Sequence, residues 1–157
     1  NGFRQTAEHV ADLQATIAWL KTTAKVPVWL VGTSRGTQSA AYAATVLQGA
    51  DAPDGVVLTA TILADDKQRP VPAMPLEHIK VPVLVVHHQQ DGCSYCAYSE
   101  IPNLMAKLTH TPRSHLITAT GGKNQGDACA AFAYHGFNGL EADVVGQMAD
   151  WILAPAR

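Results

Sequence analysis

A serine hydroxyl is a poor nucleophile until an adjacent base takes its proton. The residues that matter first are therefore a serine in an exposed turn, an imidazole and a carboxylate. Ser34 lies in Gly32-Thr33-Ser34-Arg35-Gly36, a G-x-S-x-G pentapeptide. It falls between Val26-Pro27-Val28-Trp29-Leu30-Val31, which reads as a buried strand, and residues 37–48 (TQSAAYAATVLQ), which read as a helix. A serine in such a turn exposes its hydroxyl, and the amide of Arg35 is aimed where an oxyanion would form. Both flanking glycines are expected to be needed, because a side chain on either would collide with neighbouring backbone. The plainer alternative is an ordinary turn with a capping serine.

For the carboxylate, Asp91 directly follows Lys80–His88 (KVPVLVVHH), an apolar β-branched run. That puts it at the carboxyl end of a strand, where open α/β sheets assemble their sites. Asp65 and Asp66 follow the preceding strand and rank second, and Asp127 is a rival from the loop that holds His135. A turn or helix-cap role is the plain reading for each. Among seven histidines, His9 and His78 have no strand end nearby, and His110 and His115 flank a strand start, at the wrong end of the sheet. His87 and His88 end the strand before Asp91. One should point into the core and the other at a neighbouring layer. Either could orient Asp91, but both are too close to it in sequence to act opposite Ser34. His135, in Tyr134-His135-Gly136-Phe137, remains as the base.

The elements that must position these groups alternate along the chain. Thr6 can cap a first helix whose apolar stripe is Val10, Leu13, Ile17 and Leu20. Strand 26–31, helix 37–48 and a buried strand over 55–63 (GVVLTATIL) follow. Pro70, Pro72 and Pro75 mark a loop. Strand 81–87, a helix over 97–108 and a strand over 114–118 come next. A long loop from Gly121-Gly122 then reaches His135. Asn138, with Glu141 three residues on, resembles a capping box opening a helix with Leu140, Val144, Met148 and Trp151 on one face. Strands separated by helices predict a parallel sheet covered on both faces, an α/β three-layer sandwich forming one domain over 1–157.

Composition narrows the function classes. The 157 residues are 47% hydrophobic and 15% charged, enough for one domain with a real core. Eleven Lys and Arg against 13 Asp and Glu give a net charge of −2, with no basic stripe. Nucleic-acid or membrane-surface binding has no electrostatic support, and no apolar stretch approaches the ~20 residues of a spanning helix.

The order Ser34, Asp91, His135 is that of the α/β-hydrolases. The chain resembles the C-terminal part of a small bacterial esterase-like member of that superfamily, through VPVWLVGTSRG, VPVLVVHHQQDGC and YHGFNG followed by ADWI. The resemblance implies that the strands here correspond to the fifth to eighth of an eight-stranded sheet, with the N-terminal strands lacking. The loop after the family's third strand usually gives the second oxyanion donor. A fragment, or one chain of a nicked enzyme, is the expectation, with a missing N-terminal segment or chain of the same protein as a possible partner.

The resemblance also bears on the cysteines. In the family-like pattern a cysteine two residues after the acid pairs with one just upstream of the histidine, which implies Cys93–Cys129. Cys96–Cys129 and three reduced thiols stay open. A bridge would imply an oxidising compartment, periplasmic or secreted. His87, His88, Cys93 and Cys96 can also be read as a zinc site, although such sites usually bring a second close ligand pair. The resemblance implies a serine hydrolase acting on small-molecule carboxylic esters through an acyl-enzyme, with no metal or organic cofactor required. Arg35 would give the oxyanion amide, while its guanidinium is expected in packing or an ion pair. A non-catalytic α/β binding module and a flavodoxin-like domain holding an anion at helix amino termini are the competing classes.

Overall fold

The computed structural model describes residues 2–65 and 69–154. Four strands, β1 (Trp29–Thr33), β2 (Gly55–Thr59), β3 (Val83–His88) and β4 (Ser114–Ala119), form one parallel sheet in the order β1-β2-β3-β4. Helices α1 (Ala7–Ala24), α2 (Arg35–Val46), α3 (Ile101–Ala106) and α4 (Glu141–Leu153) flank it. β2 and β3 are buried along their whole length, as apolar β-branched runs inside a parallel sheet should be.

Period-2 alternation sends side chains to two apolar layers. Val56, Leu58, Val83 and Val85 pack under Ala40, Ala41 and Ala44 of α2 and Ile101 and Leu104 of α3. Val57, Leu84 and Val86 face the other way, onto Phe137 and Val144, with Met148 and Trp151 of α4 at the margin. The predicted stripe of α1 closes on α2, with Val10 and Ile17 buried and Leu13 and Leu20 partly so. Thr6 caps α1, its hydroxyl accepting from the His9 amide at 3.3 Å. The result is the three-layer α/β arrangement expected from the alternation.

The larger differences from expectation each have a local reason. The first strand starts at Trp29 rather than Val26, beyond Pro27, which has no N–H to give a ladder. The second leaves the sheet after Thr59. Ala60 turns at φ 45°, its amide still donating to the Val86 carbonyl of β3. Beyond it the run leaves the ladder, with Thr61 N donating to His87 Nδ1, Ile62 N to Thr37 Oγ1 of α2 and Leu63 N to the Tyr95 carbonyl. The helix expected over 97–108 shrinks to a turn at Tyr98–Glu100 and six residues of α3, with Pro102 in its first turn. Asn138 does not cap α4. Its amide donates to the Phe132 carbonyl at 2.7 Å, and Glu141 accepts from the Gly139 amide at 2.8 Å instead.

Candidate active site

The carboxyl ends of β1, β2 and β3 lie side by side, because the register pairs Thr33 with Thr59 and Thr59 with Val86. At the first of these ends the chain reverses at Ser34, with φ 50° and ψ −120°, directly into α2. The turn is fixed from three sides. Ser34 N donates to the Thr59 carbonyl at 2.9 Å, and the Ser34 carbonyl accepts from Thr37 N at 2.9 Å and Thr37 Oγ1 at 2.6 Å. A Cβ on Gly32 would lie 2.8 Å from Thr37 N and nearer still to the Gly36 carbonyl, so the first glycine is required by close approach. Gly36 is different. A Cβ there meets nothing within 4 Å, so the expectation that both glycines avoid collision holds only for Gly32.

Asp91 stands just beyond β3, its side chain wholly buried. Its Oδ1 accepts from Cys93 N at 2.9 Å, and its Oδ2 lies 2.9 Å from Nδ1 of His135, which is 4% exposed. The carboxylate accepts, so Nδ1 carries the proton. Nε2 of His135 is then the basic nitrogen, buried and without a hydrogen-bond partner among the described residues. A hydrogen bond from Ser34 to that nitrogen is therefore not formed in this structure. The two neighbourhoods nevertheless adjoin: Thr33 and Gly136, each one residue from Ser34 and His135, line one cavity of about 190 Å³ with Val31, Thr59, Phe137 and Val144.

Two histidines that sequence could place only loosely turn out to brace this region. His87 is fully buried. Its Nδ1 accepts from Thr61 N at 3.3 Å and its Nε2 donates to the Cys96 carbonyl at 2.7 Å, which fixes a neutral ring. Burial lowers its pKa, against opposing pulls from the Cys96 carbonyl and Asp91. It lies 3.6 Å from Asp91 Oδ2, beyond hydrogen-bond reach. His88 points to the opposite layer. It stacks on Tyr134 at 4.3 Å between ring centres and donates from Nε2 to the Gly121 carbonyl at 3.0 Å. Its ring therefore steadies the loop that delivers His135, and its link to Asp91 is through the backbone, its carbonyl accepting from the Asp91 amide at 3.1 Å. With both rings fully engaged, His87 and His88 do not join Cys93 and Cys96 in a ligand set.

The rival carboxylates have other partners. Asp127 Oδ1 accepts from Cys129 N at 2.7 Å, an Asx turn in its own loop. Asp65 pairs with Arg35, whose guanidinium also lies 4.9 Å over the Tyr95 ring, so this side chain is committed to packing and an ion pair. Asp66 lies outside the described residues. Cys93 and Cys129 are joined, closing a span of 36 residues between the Asp91 and His135 loops. Cys96 is a free, buried thiol pushed up to about 12 by desolvation, with the Asp91 charge adding to it. Such a group carries no thiolate near neutrality.

Among solved structures, the chain is similar to a dienelactone hydrolase from Anabaena variabilis, at 20% identity and TM-score 0.62 over 94% of this chain and 60% of that one. It is similar also to an α/β serine hydrolase without lid from Xanthomonas campestris, at 16% identity and TM-score 0.56, over 94% and 58% of the two chains. An esterase domain from Rhodothermus marinus aligns at 15% identity and TM-score 0.54, over 89% and 67%. No protein-family model matches the sequence, and no curated protein does. The chain has an α/β-hydrolase fold, and it spans about 60% of the length of the first two structures.

Proposed function

We propose that this α/β-hydrolase fold carries a serine carboxylesterase site, with Ser34 as nucleophile, His135 as base and Asp91 as the group that orients it. The observation that supports this reading best is the buried Asp91–His135 pair at 2.9 Å, which leaves Nε2 of His135 free to accept a proton. Ser34 gives its proton to Nε2 and attacks the carbonyl carbon, and Asp91 stabilises the imidazolium. The Arg35 amide, at the first position of α2 and so without an intrahelical acceptor, donates to the oxyanion. One such donor is worth about 3–4 kcal/mol of barrier. Water then releases the acid by the same steps reversed. A dienelactone hydrolase and an esterase domain among the structural neighbours agree with a small ester or lactone as substrate.

Two further parts of the reading concern the whole protein. Among the described residues β1 pairs only with β2, and Val31 on it is 55% exposed. This edge is where upstream strands, with the second oxyanion donor, would pair. The Cys93–Cys129 bridge favours a periplasmic or secreted location.

The test is covalent labelling by a fluorophosphonate probe, alongside p-nitrophenyl acetate turnover by this chain alone and with upstream sequence restored. Labelling that disappears in Ser34→Ala is expected. Labelling that persists in Ser34→Ala, or that neither form of wild type acquires, removes the assignment in favour of a non-catalytic binding module.

A further inference from the structure

The disulfide, the free thiol and the proposed base converge on one point. The Sγ atoms of Cys93 and Cys96 and a ring nitrogen of His135 lie within 4.8 Å of one another. All three side chains are buried, at 2%, 0% and 4% exposure. Tetrahedral zinc, with Zn–S near 2.3 Å, holds two thiolates about 3.8 Å apart. The present separations therefore need side-chain shifts of roughly 1 Å or less. What prevents coordination now is covalent, since the Cys93 sulfur is bonded to Cys129. The Cys96 thiol is held only by a long contact to the Ala60 carbonyl, 3.4 Å. Of the two ring nitrogens of His135, Nδ1 is held by Asp91, while Nε2 is buried with no hydrogen-bond partner among the described residues and is the one open to a metal.

We propose that reduction of the Cys93–Cys129 bridge opens a three-ligand site, Cys93, Cys96 and His135, for a thiophilic divalent cation of the zinc type. A dithiol or phosphine reductant gives two electrons to the bridge, which takes up two protons and becomes two thiols. The cation then displaces the protons of Cys93 and Cys96 to solvent and binds both sulfurs and the imidazole. The fourth position falls to water or to the Cys129 thiol, whose Cα is 4.6 Å from that of Cys93. His87 and His88 cannot compete for the metal, because both nitrogens of each ring are already engaged. The C-x-x-C pair thus takes its imidazole from His135, well downstream of Cys96, rather than from the adjacent histidines. Occupancy would also sequester His135, so the reduced, metal-loaded chain would be inhibited; that consequence alone rests on the esterase reading.

The experiment is titration of phosphine-reduced protein with Co²⁺, read by the near-ultraviolet sulfur-to-cobalt charge-transfer band, with Zn²⁺ added to displace it. One Co²⁺ per chain is expected in reduced wild type and no band in the oxidised form. Cys96→Ser should weaken binding by roughly 10-fold or more, as should His135→Ala, by comparison with outer-shell substitutions that already lose 10–100-fold. Cys129→Ser frees Cys93 by a second route and should bind under a trace of phosphine. Folding of each form is checked by near-ultraviolet circular dichroism. Absence of the band in both folded reduced wild type and folded Cys129→Ser overturns the proposal, as does a band that Cys96→Ser leaves unchanged. Either result leaves the triad standing, whereas an unlabelled Ser34 with an intact band would do the reverse.

Discussion

Replacing Asp91 with asparagine changes almost no atoms in volume and should nevertheless disable the site, for a reason visible in its two hydrogen bonds. The carboxylate accepts from the Cys93 amide at 2.9 Å and from Nδ1 of His135 at 2.9 Å. The Cys93 amide can only donate, so an asparagine must present its oxygen there. The other orientation would leave two buried donors facing each other, a penalty of about 1–3 kcal/mol for the unsatisfied group. With its oxygen so fixed, the asparagine turns its NH₂ toward His135. Nδ1 must then accept, and the imidazole proton moves to Nε2. The nitrogen that should take the serine proton now carries one already.

A wrong tautomer with intact geometry costs roughly 10⁴-fold in kcat in a Ser-His-Asp enzyme, or about 5.4 kcal/mol of barrier at about 1.36 kcal/mol per factor of ten. The assays are p-nitrophenyl acetate turnover and, independent of turnover, heteronuclear NMR of the imidazole nitrogens. Wild type should report Nδ1–H for His135 and Asp91→Asn should report Nε2–H, with unfolding behaviour little changed. Asp127→Asn, altering only an exposed Asx turn, should leave both readouts as in wild type. A variant at Asp91 that keeps the wild-type tautomer, or retains activity within about tenfold, would refute the reasoning.

Three other outcomes are expected. Burial holds the pKa of His87 below its ordinary value near 6.5. As pH falls under that value the unfolded chain binds a proton that the folded chain refuses. Stability is full above pH ~6.5 and declines below it by up to about 1.4 kcal/mol per pH unit, and urea unfolding across pH 5–7 should show a shallower decline for His87→Gln. Gly32→Ala should lose roughly 3 kcal/mol or more through backbone overlap, while Gly36→Ala, facing open space inside α2, should be neutral or gain up to about 1 kcal/mol; equal effects on denaturation midpoint would contradict the contacts described. Cutting the Cys93–Cys129 bridge by Cys129→Ser should lower unfolding free energy by roughly 3–4 kcal/mol on the chain-entropy account for a span of this length, measured by denaturant titration against oxidised wild type.

Much of this arrangement was legible in the chain because it depends on local signals. Apolar β-branched runs, read as strands over 55–63 and 81–87, marked the two central strands, found at Gly55–Thr59 and Val83–His88. The pentapeptide around Ser34 marked the reversal, and the three- and four-residue spacing from Val10 to Leu20 marked α1. What escaped is non-local. Gly55 is required because the Trp29 ring lies where its Cβ would be, a consequence of the Trp29–Gly55 register that neither segment announces. The strand expected to reach Leu63 stops at Thr59, since burial alone does not distinguish a ladder from a loop whose amides find side-chain and loop partners. The His87-His88 dipeptide predicted two opposite faces. That His87 would clamp the acid loop at Cys96 depends on how that loop folds back, and the stacking of His88 on Tyr134 depends on a loop 33 and more residues away.

Whether Ser34 is a nucleophile or merely a helix cap can be argued from within this molecule, because Thr6 offers the comparison. Thr6 has the extended backbone of an ordinary cap, φ −94° and ψ 156°, and its hydroxyl accepts from the amide three residues on. Ser34 also precedes a helix, yet it sits at φ 50° and ψ −120° and makes no capping hydrogen bond with its side chain. A non-glycine residue held in such a region costs of order 1–3 kcal/mol. A capping role would require no such strain, and glycine at position 34 would relieve it. The amide and carbonyl of Ser34 are tied down by Thr59 and Thr37, so the surrounding structure maintains the strain while the hydroxyl is left unspent on the helix. A backbone forced this way around a hydroxyl that makes no cap bond fits the nucleophile role proposed above and does not fit a helix cap.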